Sequence, residues 1–206
     1  MSIYKTKRSV FLIHLILVVL EIIAVSYILV KDGLPAFRYY TVDSNMLQLF
    51  VSLWVMVCFI RKKDFPPALE VLQLVSAVCL TVTFMIAAFV LMPQSTFAYY
   101  FLDNVAPIYH FIGPVLSVAA LMVSDMPIPR KAFIAPAAAS LLYGVVALIL
   151  NAAGVLKGPY FFLEVYTTPI KTIVMWFVII FFMCIGLTLA YMALHRMICR
   201  HRNKAG

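Results

Sequence analysis

The segment that decides the fold is ALEVLQLVSAVCLTVTFMIAAFVL, residues 68–91, in which Glu70 is the only charged side chain. Pro66 and Pro67 precede the segment and Pro93 follows it, so helix-breaking residues bound it on both sides. An apolar run of this length matches the roughly 20 residues that an α-helix needs to cross a lipid bilayer. The segment therefore predicts a transmembrane helix.

Five further apolar runs of similar length lie on either side of this segment, and together they use most of the 206 residues. We predict six transmembrane helices, at residues 9–30, 40–60, 68–91, 104–124, 131–150 and 169–196. The chain is 65% hydrophobic, whereas a soluble domain is about half apolar. The predicted fold class is all-α, with one six-helix transmembrane domain over residues 1–206 and no separate soluble domain.

The lysine and arginine residues lie between the apolar runs, where such residues set membrane topology. Twelve of the 16 fall on one side, at Lys5, Lys7, Arg8, Arg61, Lys62, Lys63, Arg130, Lys131, Arg196, Arg200, Arg202 and Lys204. The other four are Lys31, Arg38, Lys157 and Lys171. Positive loops stay in the cytoplasm, so we expect both termini there, in a multi-pass protein of a bacterial plasma membrane. The net charge of +8 is not clustered as in a nucleic-acid-binding face, and the sequence carries no signal for an oligomeric state.

A polar stripe opens the second predicted helix. It consists of Thr41, Ser44, Asn45 and Gln48. These positions are three and four residues apart, so they share one helix face. Polar side chains in an apolar span should face the bundle interior or a wet cavity. The alternative is helix capping, with Thr41 as the N-cap and with Asp43 and Ser44 binding first-turn amides.

The fourth predicted helix carries His110 about two turns from its start, with Pro114 four residues later. Proline has no N–H, so the carbonyl of His110 loses its helical partner and a kink is expected. A histidine beside such an opened turn, inside an apolar span, is a functional candidate. The alternative is a histidine that bonds across helices for packing.

Thr41 and His110 are expected at similar depths, because both of their helices enter from the outer side of the membrane. A hydroxyl becomes an effective nucleophile when a base removes its proton, and neutral histidine suits that role. We therefore predict that Thr41 is a nucleophile and His110 its base. Supporting roles are predicted for Asp43, Ser44, Asn45 and Glu164, and a substrate-lining role for Tyr40, Gln48, Tyr109 and Lys171. No metal or cofactor is expected, since no ligand cluster has metal-site spacing.

Three short motifs resemble a known family of small six-helix membrane proteins. Residues 37–45, FRYYTVDSN, resemble its FRYFT-x-x-SN segment, and His110 with Pro114 resembles its histidine region. Residues 160–164, YFFLE, resemble its YPFLD loop, with phenylalanine in place of proline and glutamate in place of aspartate. The family includes the androgen-induced and androgen-dependent threonine hydrolases and bacterial relatives. The resemblance implies cleavage of fatty acid esters of hydroxy fatty acids, with Thr41 at the nucleophile position and His110 at the base position.

The function predicted is an intramembrane lipid ester hydrolase. Its substrate would be a membrane lipid or another fatty-acyl ester that enters from the outer leaflet. The alternative is a small proton-coupled transporter or a non-catalytic lipid-binding protein. A transporter would use Glu21 and His14 of the first helix, together with the polar stripe, as a proton or solute path.

Overall fold

The chain is a bundle of α-helices in a computed structural model that describes residues 3–125 and 127–205, and their side chains except those of residues 3–7, 203 and 205. The α-helices, in chain order, are α1 (Ile3–Asp32), α2 (Tyr40–Ile60), α3 (Pro67–Ile86), α4 (Phe97–Phe101), α5 (Gly113–Val123), α6 (Ala135–Ala152) and α7 (Ile170–Ala205). The described residues contain no β-strand, which confirms the all-α prediction. Residues 1, 2, 126 and 206 of the predicted domain, and the predicted cytoplasmic side chains of Lys5 and Lys7, lie outside what is described.

Within the described residues, five helical segments are long and apolar enough to cross a membrane. They are Arg8–Asp32, Tyr40–Ile60, Pro67–Gln94, Arg130–Ala152 and Ile170–Arg202. These segments correspond to the first, second, third, fifth and sixth predicted spans. The fourth apolar helix, Ile108–Val123, is shorter. It begins later than predicted because residues 102–105 form turns, with Asn104 at a left-handed φ of 50° that asparagine tolerates.

The helix around Pro114 departs from regular α-geometry at the place where an irregularity is predicted. Ile108–Ile112 form a π-helical turn, and the N–H of Gly113 donates to the carbonyl of Ile108. Because Pro114 cannot donate a hydrogen bond, the regular α-helical pattern of bonds cannot pass through it. The sequence predicts a kink here. In the structure, a wider π-helical turn accommodates the missing N–H of Pro114.

Helix α3 lies in the middle of the bundle and packs against α2, α5, α6 and α7. The buried core there includes Leu74, Val78 and Val82 of α3, Leu121 of α5 and Cys184 of α7. Large apolar side chains also cover the outer faces of the bundle, for example Leu12, Ile23, Phe50, Leu142 and Phe182. Apolar surface on this scale is stable in lipid and not in water, so the chain is an integral multi-pass membrane protein.

Candidate functional site

Thr41 lies in the first turn of α2 and does not cap that helix. The N-cap is Tyr39, which makes no capping hydrogen bond with its side chain, so the capping alternative is wrong. The carbonyl of Thr41 accepts hydrogen bonds from Ser44 Oγ at 3.1 Å and from Asn45 Nδ2 at 2.7 Å. Two members of the polar stripe therefore hold the backbone of Thr41, and neither of these bonds uses its hydroxyl.

Thr41 and Tyr40 line a narrow cavity with a free volume of about 40 Å³. The walls come from α3 with its extension, from α6 and from α7, and the roof comes from the loop between α6 and α7. Most of the lining is apolar, and it includes Val82, Ile86, Leu91, Leu141, Phe177 and Ile180. The lining has the composition that suits an apolar chain, with the polar groups of the α2 N-terminus at one end, and the cavity must widen for such a chain to enter.

Tyr160, from the roof of the cavity, reaches the start of α2. Its hydroxyl lies near the Thr41 side chain and the backbone amides of Thr41 and Tyr40. The first amides of a helix have no carbonyl partner within the helix, so they are free to bind an acceptor from elsewhere. The Tyr160 hydroxyl is a polar group beside these amides.

Tyr160 is a hydrogen-bonding phenol in this site and not a base. Burial raises its pKa to about 12, although its contacts with Thr41 and Tyr40 lower the pKa in part. A phenol with this pKa keeps its proton at neutral pH, and a useful general base has a pKa near the working pH. A base for Thr41 must therefore come from another residue.

The loop that carries Tyr160 is held in place by Glu164. The carboxylate accepts hydrogen bonds from the N–H of Gly158 at 2.9 Å and from Asn151 Nδ2 at 3.1 Å. These two bonds lower the pKa of Glu164, so it is ionised at neutral pH. Glu164 was predicted to support the reaction, and in the structure one of its oxygens binds Gly158 within this loop and the other binds Asn151 at the end of α6.

Phe162 anchors the same loop against α7. Its ring stacks on Trp176, with 4.8 Å between the ring centroids, and on Tyr160 at 5.4 Å. Phe162 is also almost fully buried. The roof over Thr41 is therefore a packed part of the molecule, which fixes where the Tyr160 hydroxyl lies.

His110 lies in the π-helical turn and is half-buried. Its Nδ1 is 2.8 Å from the carbonyl oxygen of Tyr100. A carbonyl can only accept, so Nδ1 carries the proton and Nε2 holds the lone pair in the neutral ring. The rings of Tyr100 and Phe101 pack edge-on against the imidazole. This tautomer is the one that a general base at Nε2 requires.

Thr41 and His110 make no hydrogen bond to each other in the part of the chain that the structure describes, and His110 does not line the Thr41 cavity. Their neighbourhoods adjoin, because the π-helical turn that carries His110 contacts α2, the helix of Thr41.

The other predicted site residues lie in different places. Tyr40 lines the cavity, and its hydroxyl is 2.7 Å from Ser140 Oγ. Asp43 lines a separate groove against α6, and Lys171 is exposed at the start of α7. Tyr109 is buried beside α1. Of the four predicted substrate-lining residues, Tyr40 is the one that lines this cavity.

Gln48 belongs to a deeper polar network that the sequence analysis did not identify. Its Oε1 accepts from Ser76 Oγ at 2.7 Å and from Ser117 Oγ at 2.5 Å, and its Nε2 donates to Ser52 Oγ at 2.8 Å. Ser52 Oγ is also 3.0 Å from His14 Nδ1. The network joins α1, α2, α3 and α5. Ser52 lies four residues after Gln48, so the sequence places it on the same helix face as the polar stripe.

Comparison with known proteins yields no relative, because no family model, curated protein or solved structure matches this chain. The described residues contain no group of three or more His, Cys, Asp or Glu side chains that could hold a metal ion. A function for this protein must therefore be argued from its own residues.

Proposed function

We propose that this protein is an intramembrane hydrolase of lipid acyl esters in which Thr41 is the nucleophile. One observation carries the proposal: Thr41 lies at the polar end of an apolar cavity, where the first amides of α2 meet the Tyr160 hydroxyl. Acyl transfer needs a nucleophilic oxygen next to donors that stabilise the developing charge on the carbonyl oxygen. The amides of Tyr40 and Thr41 are suited to be those donors.

In the proposed reaction, Thr41 Oγ1 attacks the ester carbonyl, and the two amides bind the carbonyl oxygen. The base accepts the proton of Thr41 and then gives it to the leaving alcohol, as the tetrahedral intermediate collapses to an acyl-threonine. Water then attacks the acyl-threonine, which releases the fatty acid and restores Thr41. The acyl chain would lie along Val82, Ile86 and Phe177.

His110 is the proposed base, because its hydrogen bond to Tyr100 leaves the lone pair on Nε2. For Nε2 to reach Thr41, the π-helical turn must move toward α2 when substrate binds. π-Helical turns often occur at functional sites, and catalytic hydrogen bonds commonly tighten only in the substrate complex. The proposed chemistry uses no metal and no cofactor.

The motifs that resemble the threonine hydrolases agree with this proposal in the role given to Thr41. In that interpretation the substrate is a fatty acid ester of a hydroxy fatty acid or a related membrane lipid. The loop at residues 160–164 then has a definite task, since Glu164 holds the loop and Tyr160 contacts Thr41.

We also propose six membrane spans, with Ile108–Val123 as the fourth and with both termini in the cytoplasm of a bacterial plasma membrane. The positive charges support this arrangement. So does the ion pair of Arg202, near the C-terminus, with Asp125, after α5, at 2.7 Å, because it brings two segments of the same predicted side together.

The test is hydrolysis of fluorogenic acyl esters by the purified protein in detergent. Thr41→Ala should lower the rate by at least about 10³-fold, and His110→Ala by roughly 10²- to 10⁴-fold. Thr81→Ala is the matched control, because the Thr81 hydroxyl bonds Ala77 and Tyr191 away from the cavity. Mass spectrometry should locate an acyl group on Thr41. Full activity in Thr41→Ala would refute the proposal.

A second candidate, a small proton-coupled transporter, is favoured by one observation. Glu21 and the network of His14, Ser52 and Gln48 place buried polar groups within the apolar bundle. Proton-driven uptake into vesicles that is lost in Glu21→Gln, but not in Thr41→Ala, would support transport in place of hydrolysis.

A further inference from the structure

Three oxygen atoms from different parts of the chain surround the backbone of Gly113. A Cβ atom built on this glycine would lie 2.8 Å from the Ile108 carbonyl oxygen, 3.1 Å from Glu21 Oε1 and 3.3 Å from Asn45 Oδ1. The oxygens come from the π-helical turn, from α1 and from α2. Glycine allows this close approach, because any larger residue would place a side chain among them.

Glu21 has no hydrogen-bond partner at either carboxyl oxygen in the part of the chain that the structure describes, and its exposure is 0%. Asn45 is equally buried, and its Oδ1 likewise has no partner. The orientation of the Asn45 amide is set by its Nδ2, which donates to the carbonyl of Thr41 at 2.7 Å. The oxygen, and not the nitrogen, therefore points toward Gly113.

A carboxylate buried in an apolar bundle must be neutralised by a proton or by a cation, because the isolated charge is too costly. No described lysine or arginine bonds Glu21, since neither of its oxygens has a partner. The hydroxyl of Tyr109, which clusters with Ala24 of α1, is also without a partner among the described residues. His14, on the same helix, is bonded to Ser52, and His110 is bonded to the Tyr100 carbonyl. Asp43 of α2 lines the groove against α6.

We propose that Glu21, Asn45 and the carbonyl of Ile108 form a binding site for one exchangeable monovalent cation, a proton on Glu21 or a sodium ion. The Ile108 carbonyl accepts from the N–H of Gly113 and has a second lone pair for the cation. Carboxylate, amide and carbonyl oxygens are hard ligands, and irregular helix segments supply such carbonyls to Na⁺ and H⁺ sites in membrane proteins. In the protonated form, the Glu21 hydroxyl donates to Asn45 Oδ1. With sodium, the same oxygens coordinate the ion.

The site rests on different observations from the proposed hydrolase, although the two share the Asn45 side chain and the π-helical turn that carries Ile108 and His110. Asn45 faces Glu21 through Oδ1 and binds the carbonyl of Thr41 through Nδ2. The site therefore adjoins the first turn of α2 and not the acyl cavity. Its test needs no enzyme substrate, so failure of one proposal leaves the other standing.

The test is thermal unfolding of the purified full-length protein in detergent, in NaCl and in choline chloride of equal ionic strength, from neutral to alkaline pH. A sodium site predicts a Tm about 5 °C higher in NaCl when sodium is at about 100 times its Kd, with the gain increasing as pH rises. A proton site predicts a Tm that falls with rising pH equally in both salts, since the protonated form is the stable one. Either result supports the cation site, and it identifies the occupant.

Three variants separate this site from other ionisable groups. Glu21→Gln keeps the shape without the charge, so it should fold and lose the response to both cations. Gly113→Ala is the substitute if Glu21→Gln cannot be purified. It puts a methyl group among the three oxygens, so it should weaken the response to the cations. Glu70→Gln is the matched control, because Glu70 is a largely buried carboxyl on α3. A wild-type response to neither cation, or an undiminished response in Glu21→Gln or Gly113→Ala, would overturn the proposal.

Discussion

Replacing Gln48 with leucine tests whether the buried polar network holds the bundle together. Leucine has nearly the volume of glutamine but can make no hydrogen bond. Ser76 and Ser117 then lose their acceptor, and Ser52 loses its donor. Hydrogen bonds between helices in a membrane contribute about 0.6 kcal/mol each on average, with a maximum of about 1.7. The loss of three such bonds should lower the free energy of unfolding by about 2 kcal/mol.

The assay for Gln48→Leu is reversible unfolding in mixed micelles, followed by circular dichroism as the fraction of SDS rises. Gln94→Leu is the control, because the Gln94 side chain bonds the carbonyl of Val90 at an exposed position. The control should change the free energy of unfolding by less than about 0.5 kcal/mol. If Gln48→Leu were as stable as the wild type, the network would not be a stabilising element, and the stripe would need another role.

A double-mutant cycle makes this prediction specific to one contact. Gln48→Leu and Ser117→Ala should be non-additive, because both changes remove the same hydrogen bond. Gln48→Leu combined with Thr81→Ala should be additive, since the Thr81 hydroxyl bonds Ala77 and Tyr191 instead. Additivity in the first pair would contradict the hydrogen bond between Gln48 and Ser117.

Two further predictions concern the roof and the wall of the cavity. Because the pKa of Glu164 is lowered in the folded protein, its contribution to stability is complete above its ordinary pKa and is lost as pH falls through the folded value. Trp176 fluorescence should therefore report loosening of the loop in acid. Glu164→Gln should show a loosened loop already at neutral pH. A rigid loop in that variant would contradict the role of Glu164 in holding the loop. In Gly144→Ala, the new Cβ would lie 2.8 Å from Phe177 Cζ, so this ring of the cavity wall must move. Hydrolysis of long-chain esters should fall more than hydrolysis of short-chain esters, by roughly 10-fold in the ratio, and an unchanged ratio would exclude this cavity as the acyl site.

Most of the helices could be predicted from the sequence, because hydrophobic length and helix-breaking residues are local properties. The segment at residues 40–60 was predicted with the bounds that α2 has. The start of the helix near Ile108 was not, because turns and a π-helical turn replace the regular helix there. Its reduced length is also why the described residues contain five long apolar helices where six spans of full length were predicted.

The sequence predicted single residues of the candidate site but not which residues they contact. The spacing of Thr41, Asn45 and Gln48 placed them on one helix face, and Asn45 and Gln48 are buried as that spacing implies. The spacing did not show that these residues contact different parts of the bundle. Thr41 lines the cavity, Asn45 faces Gly113, and Gln48 enters the network with Ser117. A helix face is wide enough for its residues to contact different neighbours, and the neighbours depend on packing.

By itself, the sequence determined that this is an all-helical membrane protein, since the free energy of transferring long apolar runs into lipid depends on composition alone. Tertiary structure decided which polar groups meet: Tyr160 with Thr41, Glu21 with Asn45 beside Gly113, and His110 with the Tyr100 carbonyl. The physical reason is that such contacts depend on the rotation and depth of each helix relative to its neighbours. Those quantities are set by side-chain packing across the bundle, which no local pattern along the chain encodes.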